Sequence, residues 1–276
     1  MARGNRRRID VEPGERRRQL ARVALLGAPT AGVLLALGLA GWLGWTRLVE
    51  GDALRVREVR FVGANRARPE DLAELCPVKP GDHLALVDGD LVARALLRHP
   101  WVAAVEVRRV LPPALEIRVT ERRAIALVDL GGLYLVDDRA EVFKKAVPGD
   151  GLDLPVVTGI SREDWLAHED EMRRKLLSAL ALLDRWSERS LDRREPVSQI
   201  HLDPQVGTTV WAGEEGVEVR LGQGDIPDKL ARLERVLAAI HAEGRRAEVM
   251  HLDNRRRPDW VAVRFDSRSA PETARR

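Results

Sequence analysis

Few residues in the sequence have the type and spacing of a known catalytic or ligand-binding pattern. Residues 222–224 (Gly-Gln-Gly) begin like a dinucleotide-binding loop, but Pro227 replaces the third glycine, so the phosphate cradle is missing. His168 and Glu169 begin like a zinc-protease helix, yet Met172 stands where the second histidine ligand belongs. Neither a Gly-x-Ser-x-Gly elbow nor a Ser-x-x-Lys dyad occurs in the sequence. These patterns predict no catalytic residue.

The other reactive side chains each allow a chemical and a structural interpretation. His201 and His251 could meet on neighbouring strands as metal ligands, or could be packed or solvated separately. Asp137 and Asp138 could form an acid–base pair or supply hydrogen bonds within a turn. The single cysteine, Cys76, excludes an internal disulfide and a multi-cysteine metal cluster, and fits a small buried apolar residue. We therefore expect no enzymatic activity, no cofactor and no resident metal.

The positive charge of the chain is concentrated at its N-terminus. The net charge is +3 over 276 residues, but residues 1–22 alone carry +5 and the remainder carries −2. A near-neutral folded part with few aromatic residues argues against a nucleic-acid-binding domain. The arginines nearest the following apolar run could set membrane topology, contact anionic lipid or bind nucleic acid. They are Arg16, Arg17, Arg18 and Arg22.

An uncharged apolar run covers residues 23–45 and follows the basic tail directly. As a helix it would be about 35 Å long, which is enough to cross the hydrocarbon core of a bilayer. Trp42 and Trp45 lie at one end, where indole rings favour the headgroup layer. The run therefore predicts a transmembrane helix. A buried core helix and a signal peptide cleaved near residues 38–40 are the alternatives.

The orientation of this predicted anchor follows from its flanks. The long segment after the run would be translocated largely regardless of its charge, so the short basic tail decides the topology. We expect the N-terminus in the cytoplasm and about 230 residues outside it.

Residues 54–122 show the element order β-α-α-β-β. Residues 57–63 alternate as a strand and end at a glycine turn, and residues 69–75 form a short helix with acids in its first turn. Asp88 can cap a second helix that ends at His99-Pro100. Alternating strands follow around residues 103–108 and 115–120.

Residues 123–265 are rich in strands. A hairpin is predicted around Gly131-Gly132, a long helix from Ser161, and a second helix after residue 224. Further strands are predicted at 198–203, 208–212, 217–221, 248–253 and 260–265. Residues 266–276 form a C-terminal tail. The predicted fold class is α+β: a transmembrane helix, a β-α-α-β-β domain and a mixed β-sheet domain with helices.

The order of these elements behind a membrane anchor resembles that of a POTRA domain. The amino-acid sequence itself resembles the FtsQ/DivIB family of bacterial division proteins. In the first domain the resemblance rests on residues 59–63, 65, 99–103, 105, 107–109, 112–113, 115 and 117–122. In the second it rests on residues 154–159, 217–221, 229–230, 252–253 and 261–265. The sequence departs from the family at Ala140, where glycine is usual, and at Asn254.

The resemblance implies a non-catalytic scaffold of the division machinery in the cell inner membrane at the septum. It implies that the last strand pairs with a segment of FtsB, which forms a coiled coil with FtsL, and that the POTRA domain meets other division proteins. The implied partner-binding residues are Trp260, Val261, Ala262, Val263, Arg264 and Phe265. Ordinary sheet with core-facing Val261 and Val263 is the alternative. A POTRA adaptor in protein export and a membrane-anchored envelope hydrolase are the rival functions.

Overall fold

The structure is a computed structural model that describes residues 32–44, 54–111, 113–254, 256–257 and 259–266. The basic tail with Arg16, Arg17, Arg18 and Arg22 lies outside these residues, as do residues 23–31 and Trp45 of the predicted anchor. Residues 32–44 form an exposed helix, α1. Within the described residues, no helix combines the length and apolar character needed to cross a bilayer.

The remaining chain divides into two compact units. Among the described residues after α1, the first unit contains residues 54–64, 69–96 and 105–119, and the second contains residues 65–68, 97–104 and those from 120 to 266. Residues 58–121 form two helices, α2 (Pro69–Leu75) and α3 (Gly89–Leu96). They also form three strands, β1 (Glu58–Val62), β2 (Val102–Val110) and β3 (Ala114–Glu121).

The small sheet has the order β1-β3-β2, with β1 parallel to β3. The predicted order β-α-α-β-β is therefore confirmed. Asp88 caps α3 as predicted, because its Oδ1 accepts the N–H groups of Asp90 and Leu91 at 2.9 and 3.1 Å. The helix ends at Leu96, three residues before the predicted stop at His99.

The second unit is built on a nine-stranded mixed sheet with the order β12-β11-β10-β9-β8-β7-β4-β5-β6. Pairing is parallel between β4 and β7, β7 and β8, and β10 and β11, and antiparallel elsewhere. The strands are β4 (Ala124–Asp129), β5 (Leu133–Asp137), β6 (Val142–Lys145), β7 (Val156–Thr158), β8 (Val197–Asp203), β9 (Gly207–Ala212), β10 (Val217–Gly222), β11 (Ala247–His251) and β12 (Ala262–Phe265).

Three helices cover this sheet: α4 (Arg162–Ala167), α5 (Glu169–Glu188) and α6 (Ile226–Ala242). Ser161 caps α4 by accepting the N–H of Asp164 at 3.0 Å, as its capping pattern predicts. The single long helix predicted from Ser161 is nevertheless wrong. The chain leaves the helical conformation at His168, with φ −139° and ψ 52°, and α5 starts afresh after it.

Helix α5 buries the apolar stripe that its spacing predicts, including Met172, Leu176, Leu180 and Trp186. The indole of Trp186 donates to the carbonyl of Glu195 at 2.9 Å, so its polar atom is satisfied inside the core. Helix α6 buries Leu230, Leu233, Leu237 and Ile240 against the same core.

Two further expectations are settled by this sheet. His201 on β8 and His251 on β11 are separated by two strands, so the idea that they meet on neighbouring strands is wrong. Asp137 supplies hydrogen bonds within its turn, as the structural interpretation predicts: its Oδ1 accepts the N–H groups of Arg139 and Glu141 at 3.0 and 2.9 Å.

Candidate partner-binding edge of the sheet

Strand β12 lies at one edge of the nine-stranded sheet and pairs with β11 in antiparallel register. The partners run from Ala247↔Phe265 to His251↔Ala262. Among the described residues no strand pairs with the other side of β12. An edge of this kind presents backbone groups to which another chain can add a strand.

The backbone bonds of β11 fix which of its residues face β12. The N–H of Leu252 donates to the carbonyl of Arg220 in β10 at 2.9 Å. Alternate residues of a strand bond to opposite sides, so Val249 and His251 direct their backbone groups away from β10 and toward β12.

The register then fixes the orientation of β12 itself. The partners of Val249 and His251 are Arg264 and Ala262, which therefore bond inward. Asp266 has the same parity, and its N–H donates inward to Arg246 at 3.1 Å. Val263 lies between two residues that bond to β11, so its N–H and C=O point away from β11 at the open edge of the sheet.

The side chains of β12 alternate between the two faces of the sheet. Val263 and Phe265 are half-buried and pack against the core with Val261, whereas Ala262 and Arg264 are exposed. The guanidinium of Arg264 pairs with the carboxylate of Glu248 on β11 at 3.0 Å. The edge thus has one apolar face and one polar face.

A groove of about 460 Å³ runs beside the apolar face, between α6 and the last strand. Val236 of α6, Val263 and Phe265 line it, and Arg232 and Arg235 add positive charge. The Nη1 atom of Arg232 is buried and has no hydrogen-bond partner in the described part of the chain. A strand added at this edge could therefore bury apolar side chains in the groove and offer an oxygen to Arg232.

Lys229 anchors the end of the sheet from which the chain runs to β12. This nearly buried ammonium donates to the carbonyls of Leu221 and Gln223 at 2.6 Å each and to Oδ1 of Asp253 at 3.2 Å. The contacts join the end of β10, the first turn of α6 and the residue after Leu252. Gly222 has a φ of +65°, and a Cβ there would collide with the side chain of Asp253.

The loop between β11 and β12 closes on an asparagine turn. The Oδ1 atom of Asn254 accepts the N–H groups of Arg256 and Arg257 at 3.2 and 3.0 Å. The guanidinium of Arg257 lies 4.4 Å from the ring centroid of Trp260, whose surface is 60% exposed. This places a large aromatic side chain at the entrance to the edge strand.

The structure brings the predicted partner-binding residues together, although not all in one strand. Ala262, Val263, Arg264 and Phe265 form β12, while Trp260 and Val261 precede it in the loop. Lys229 was not among the predicted site residues. Residues 229–230 and 252–253 both belong to the segments that resemble the family, which was the available signal. Two positions so far apart in the sequence do not by themselves indicate a contact.

The carboxylate of Glu195 contacts a histidine of α6. Oε1 of Glu195 is 3.1 Å from Nε2 of His241, in a cleft of about 350 Å³. Burial raises the pKa of Glu195, and the attraction of His241 opposes this only in part. The part of the chain that the structure describes contains no group of three or more His, Cys, Asp or Glu residues arranged to hold a metal.

Comparison with known proteins agrees with this architecture. Residues 54–122 match the family model of the POTRA domain, FtsQ-type, and residues 124–255 match that of the cell division protein FtsQ/DivIB C-terminal domain. The chain belongs to the FtsQ/DivIB family of cell division proteins. The resemblance of the sequence to this family is therefore confirmed.

Three FtsQ relatives show how far the similarity extends. The cell division protein FtsQ of Anaeromyxobacter sp. (strain K) is 62% identical over 97% of this chain and 91% of its own length. The FtsQ of Myxococcus fulvus is 41% identical over 86% of this chain and 84% of its own. The FtsQ of Geobacter sp. (strain M21) is 31% identical over 89% and 91%. The match to the FtsQ/DivIB C-terminal model stops at residue 255, before β12.

Proposed function

We propose that this chain is a non-catalytic scaffold of the division machinery that receives a strand of FtsB on β12, with FtsL bound through FtsB. The outward-pointing backbone of Val263 at the edge of the sheet carries this proposal. Backbone hydrogen bonds from an added strand would supply affinity, and the alternating side chains would supply specificity. Membership of the FtsQ/DivIB family supports the division process as the setting.

The side chains around the strand support the same role. Val263 and Phe265 present half-buried apolar surface to the groove beside α6. Trp260 adds an exposed indole, a residue type that is enriched among the strongest contributors to protein–protein binding. Arg264 gives the opposite face of the strand a charged contact.

A membrane anchor over residues 23–45 belongs to this proposal. Helix α1 lies within that run, and an apolar helix with exposed side chains on all sides fits lipid better than water. Its large exposed apolar residues are Val33, Leu34, Leu35, Leu37, Leu39, Trp42 and Leu43. The N-terminus would be cytoplasmic and both folded units periplasmic, at the septal inner membrane, with Arg16, Arg17, Arg18 and Arg22 fixing the topology.

The POTRA domain would add contacts to other division proteins. Strand β2 ends the three-stranded sheet opposite β1, so it offers a second edge for strand addition.

The decisive experiment compares proline and alanine at Val263. The detergent-solubilised full chain is co-purified with FtsB and FtsL, and its affinity for them is measured. Val263→Pro removes an outward N–H and should weaken binding by at least about tenfold. Val263→Ala keeps the N–H and trims the side chain, so it should retain most of the affinity. Equal affinity of Val263→Pro and the parent protein would exclude β12 as the interface.

A further inference from the structure

The chain enters the first unit at one particular end of its small sheet. The N–H of Arg57 donates to the carbonyl of Pro113 at 2.9 Å, which places the entry beside the β2–β3 turn. The N–H of Val56 donates to Asp82 at 2.8 Å, and Gly81 donates back to Val56 at 2.8 Å. Residues 54–57, 81–83 and 113 therefore share this end, which we call the entry end.

The entry end exposes several large aliphatic side chains. Leu86 is 80% exposed, Leu111 is 76% exposed and Val110 is 39% exposed. Leu86 follows the segment that bonds to Val56, and Val110 and Leu111 lead into Pro113. Arg109 joins the two groups, because its Nη2 donates to the carbonyl of Val87 at 2.7 Å. The apolar side chains thus project from one region of the unit.

Most aliphatic residues elsewhere in this unit are buried. Leu91 and Val62 are 50% and 42% exposed, but the two most exposed aliphatic side chains, Leu86 and Leu111, lie at the entry end. Val56, Leu84 and Val87 lie beside the exposed residues in the sequence, yet all three belong to the core. Exposed leucines next to a well-packed core are the pattern of a surface that another phase or molecule covers.

The length of the connecting segment indicates what covers it. Only residues 46–53 separate the predicted membrane anchor from Leu54. Even fully extended, they reach about 30 Å, so Leu54 stays within about that distance of the end of the anchor. A tether this short also gives the surface a high effective concentration at the membrane, so that a weak contact suffices.

We infer that the entry end is a membrane-contacting surface, in which Leu86, Val110 and Leu111 enter the headgroup region of the bilayer that holds the anchor. Arg55, Arg57 and Arg109 lie at the same end and match the negative charge of lipid phosphates. Aliphatic tips beside basic residues are typical of proteins that rest on a membrane interface. This inference rests on the anchor that belongs to the proposed function.

The test places an environment-sensitive fluorophore on single cysteines of the full chain in liposomes that contain nitroxide-labelled lipid. Cys76 is buried and burial raises the pKa of its thiol, so it competes poorly for the label. The variants are Leu86→Cys and Leu111→Cys at the entry end. The matched control is Val62→Cys, an exposed apolar position at the opposite end of β1.

Lipid nitroxides should quench the labels at positions 86 and 111 at least about twofold more than the label at position 62. Equal quenching at all three positions overturns the inference. Labels at 86 and 111 that are shielded from water yet unquenched by lipid also overturn it, because protein then covers this end.

A fourth variant, Leu37→Cys in α1, separates this inference from the proposed anchor. If the label at position 37 is quenched and those at 86 and 111 are not, the anchor holds and only the membrane contact fails. If position 37 is not quenched either, the anchor itself fails.

Discussion

The ammonium of Lys229 lies 3.2 Å from Oδ1 of Asp253 and also donates to two carbonyl oxygens at the end of β10. One nearly buried cation therefore joins the end of β10, helix α6 and Asp253, the second residue after β11, where the chain departs for β12. A buried charge is tolerated only when hydrogen bonds surround it, and here three acceptors do so. The contact holds Asp253, from which the chain runs to β12.

Replacing Lys229 with methionine should destabilise the protein by about 2 kcal/mol, because the carbonyls and the carboxylate lose their donor while remaining shielded from water. Urea unfolding measures this. Lys175→Met is the matched control: Lys175 pairs with Glu171 on the exposed face of α5, and its loss should cost less than about 0.5 kcal/mol. Equal effects of the two variants would show that Lys229 is not a structural centre.

Proline should destabilise the protein to different extents at adjacent positions of β12. Ala262→Pro removes an N–H that bonds to β11 and should lower the unfolding free energy by roughly 2–3 kcal/mol. Val263→Pro removes an N–H that points outward and should cost less than about 1 kcal/mol, because proline is tolerated at strand edges. Urea titrations of both variants check the order. The reverse order would mean that the orientation of the strand has been assigned wrongly.

The buried carboxyl of Glu195 should make stability depend on pH. Its pKa is raised above the ordinary value of 4.5, so the folded protein binds this proton more tightly than the unfolded chain. The resulting stabilisation is complete below pH 4.5 and is lost as the pH rises through the raised pKa. Glu195→Gln stays neutral, so its stability relative to the parent protein should improve between pH 4 and pH 7. Urea unfolding across that range tests it, and a parallel pair of curves would contradict it.

Ala140 occupies a position that favours glycine, with φ +57°, although its side chain is buried. The left-handed conformation costs a non-glycine residue roughly 1–2 kcal/mol, and a buried methyl contributes about 0.8 kcal/mol. Ala140→Gly should therefore stabilise the protein by up to about 1 kcal/mol in thermal unfolding. Ala179→Gly is the contrast, because this equally buried alanine lies inside α5 and its replacement should destabilise. Destabilisation by both would mean that the methyl outweighs the strain.

Local patterns of the sequence were sufficient for most strands and caps. The alternation around Gly131-Gly132 and the cap at Ser161 depend on neighbouring residues, and both are confirmed. Ala140 keeps the turn expected of glycine, because the surrounding hairpin holds the backbone there. What sequence could not predict is set by distant pairing: β7 is inserted between β4 and β8 by parallel bonds, and His201 and His251 are separated by two strands.

Neither the break at His168 nor the role of Lys229 was predicted from the sequence. Neither residue differs in type from many that continue a helix or lie at a surface. Lys229 acquires its role from acceptors on other segments, and His168 breaks the helix although its hydrogen bonds are local. The sequence predicted which segment forms the candidate site. Which of its backbone groups point to the open edge follows only from the register between β11 and β12.

Strand β12 is also the last strand along the chain that the structure describes, and it masks β11. A product cut short before residue 262 would expose the N–H and C=O groups of Val249 and His251 instead, at an edge formed by a different strand. Such an exposed ladder invites self-association. Under the proposed function, strand addition at β12 would therefore require a chain that is complete through this strand.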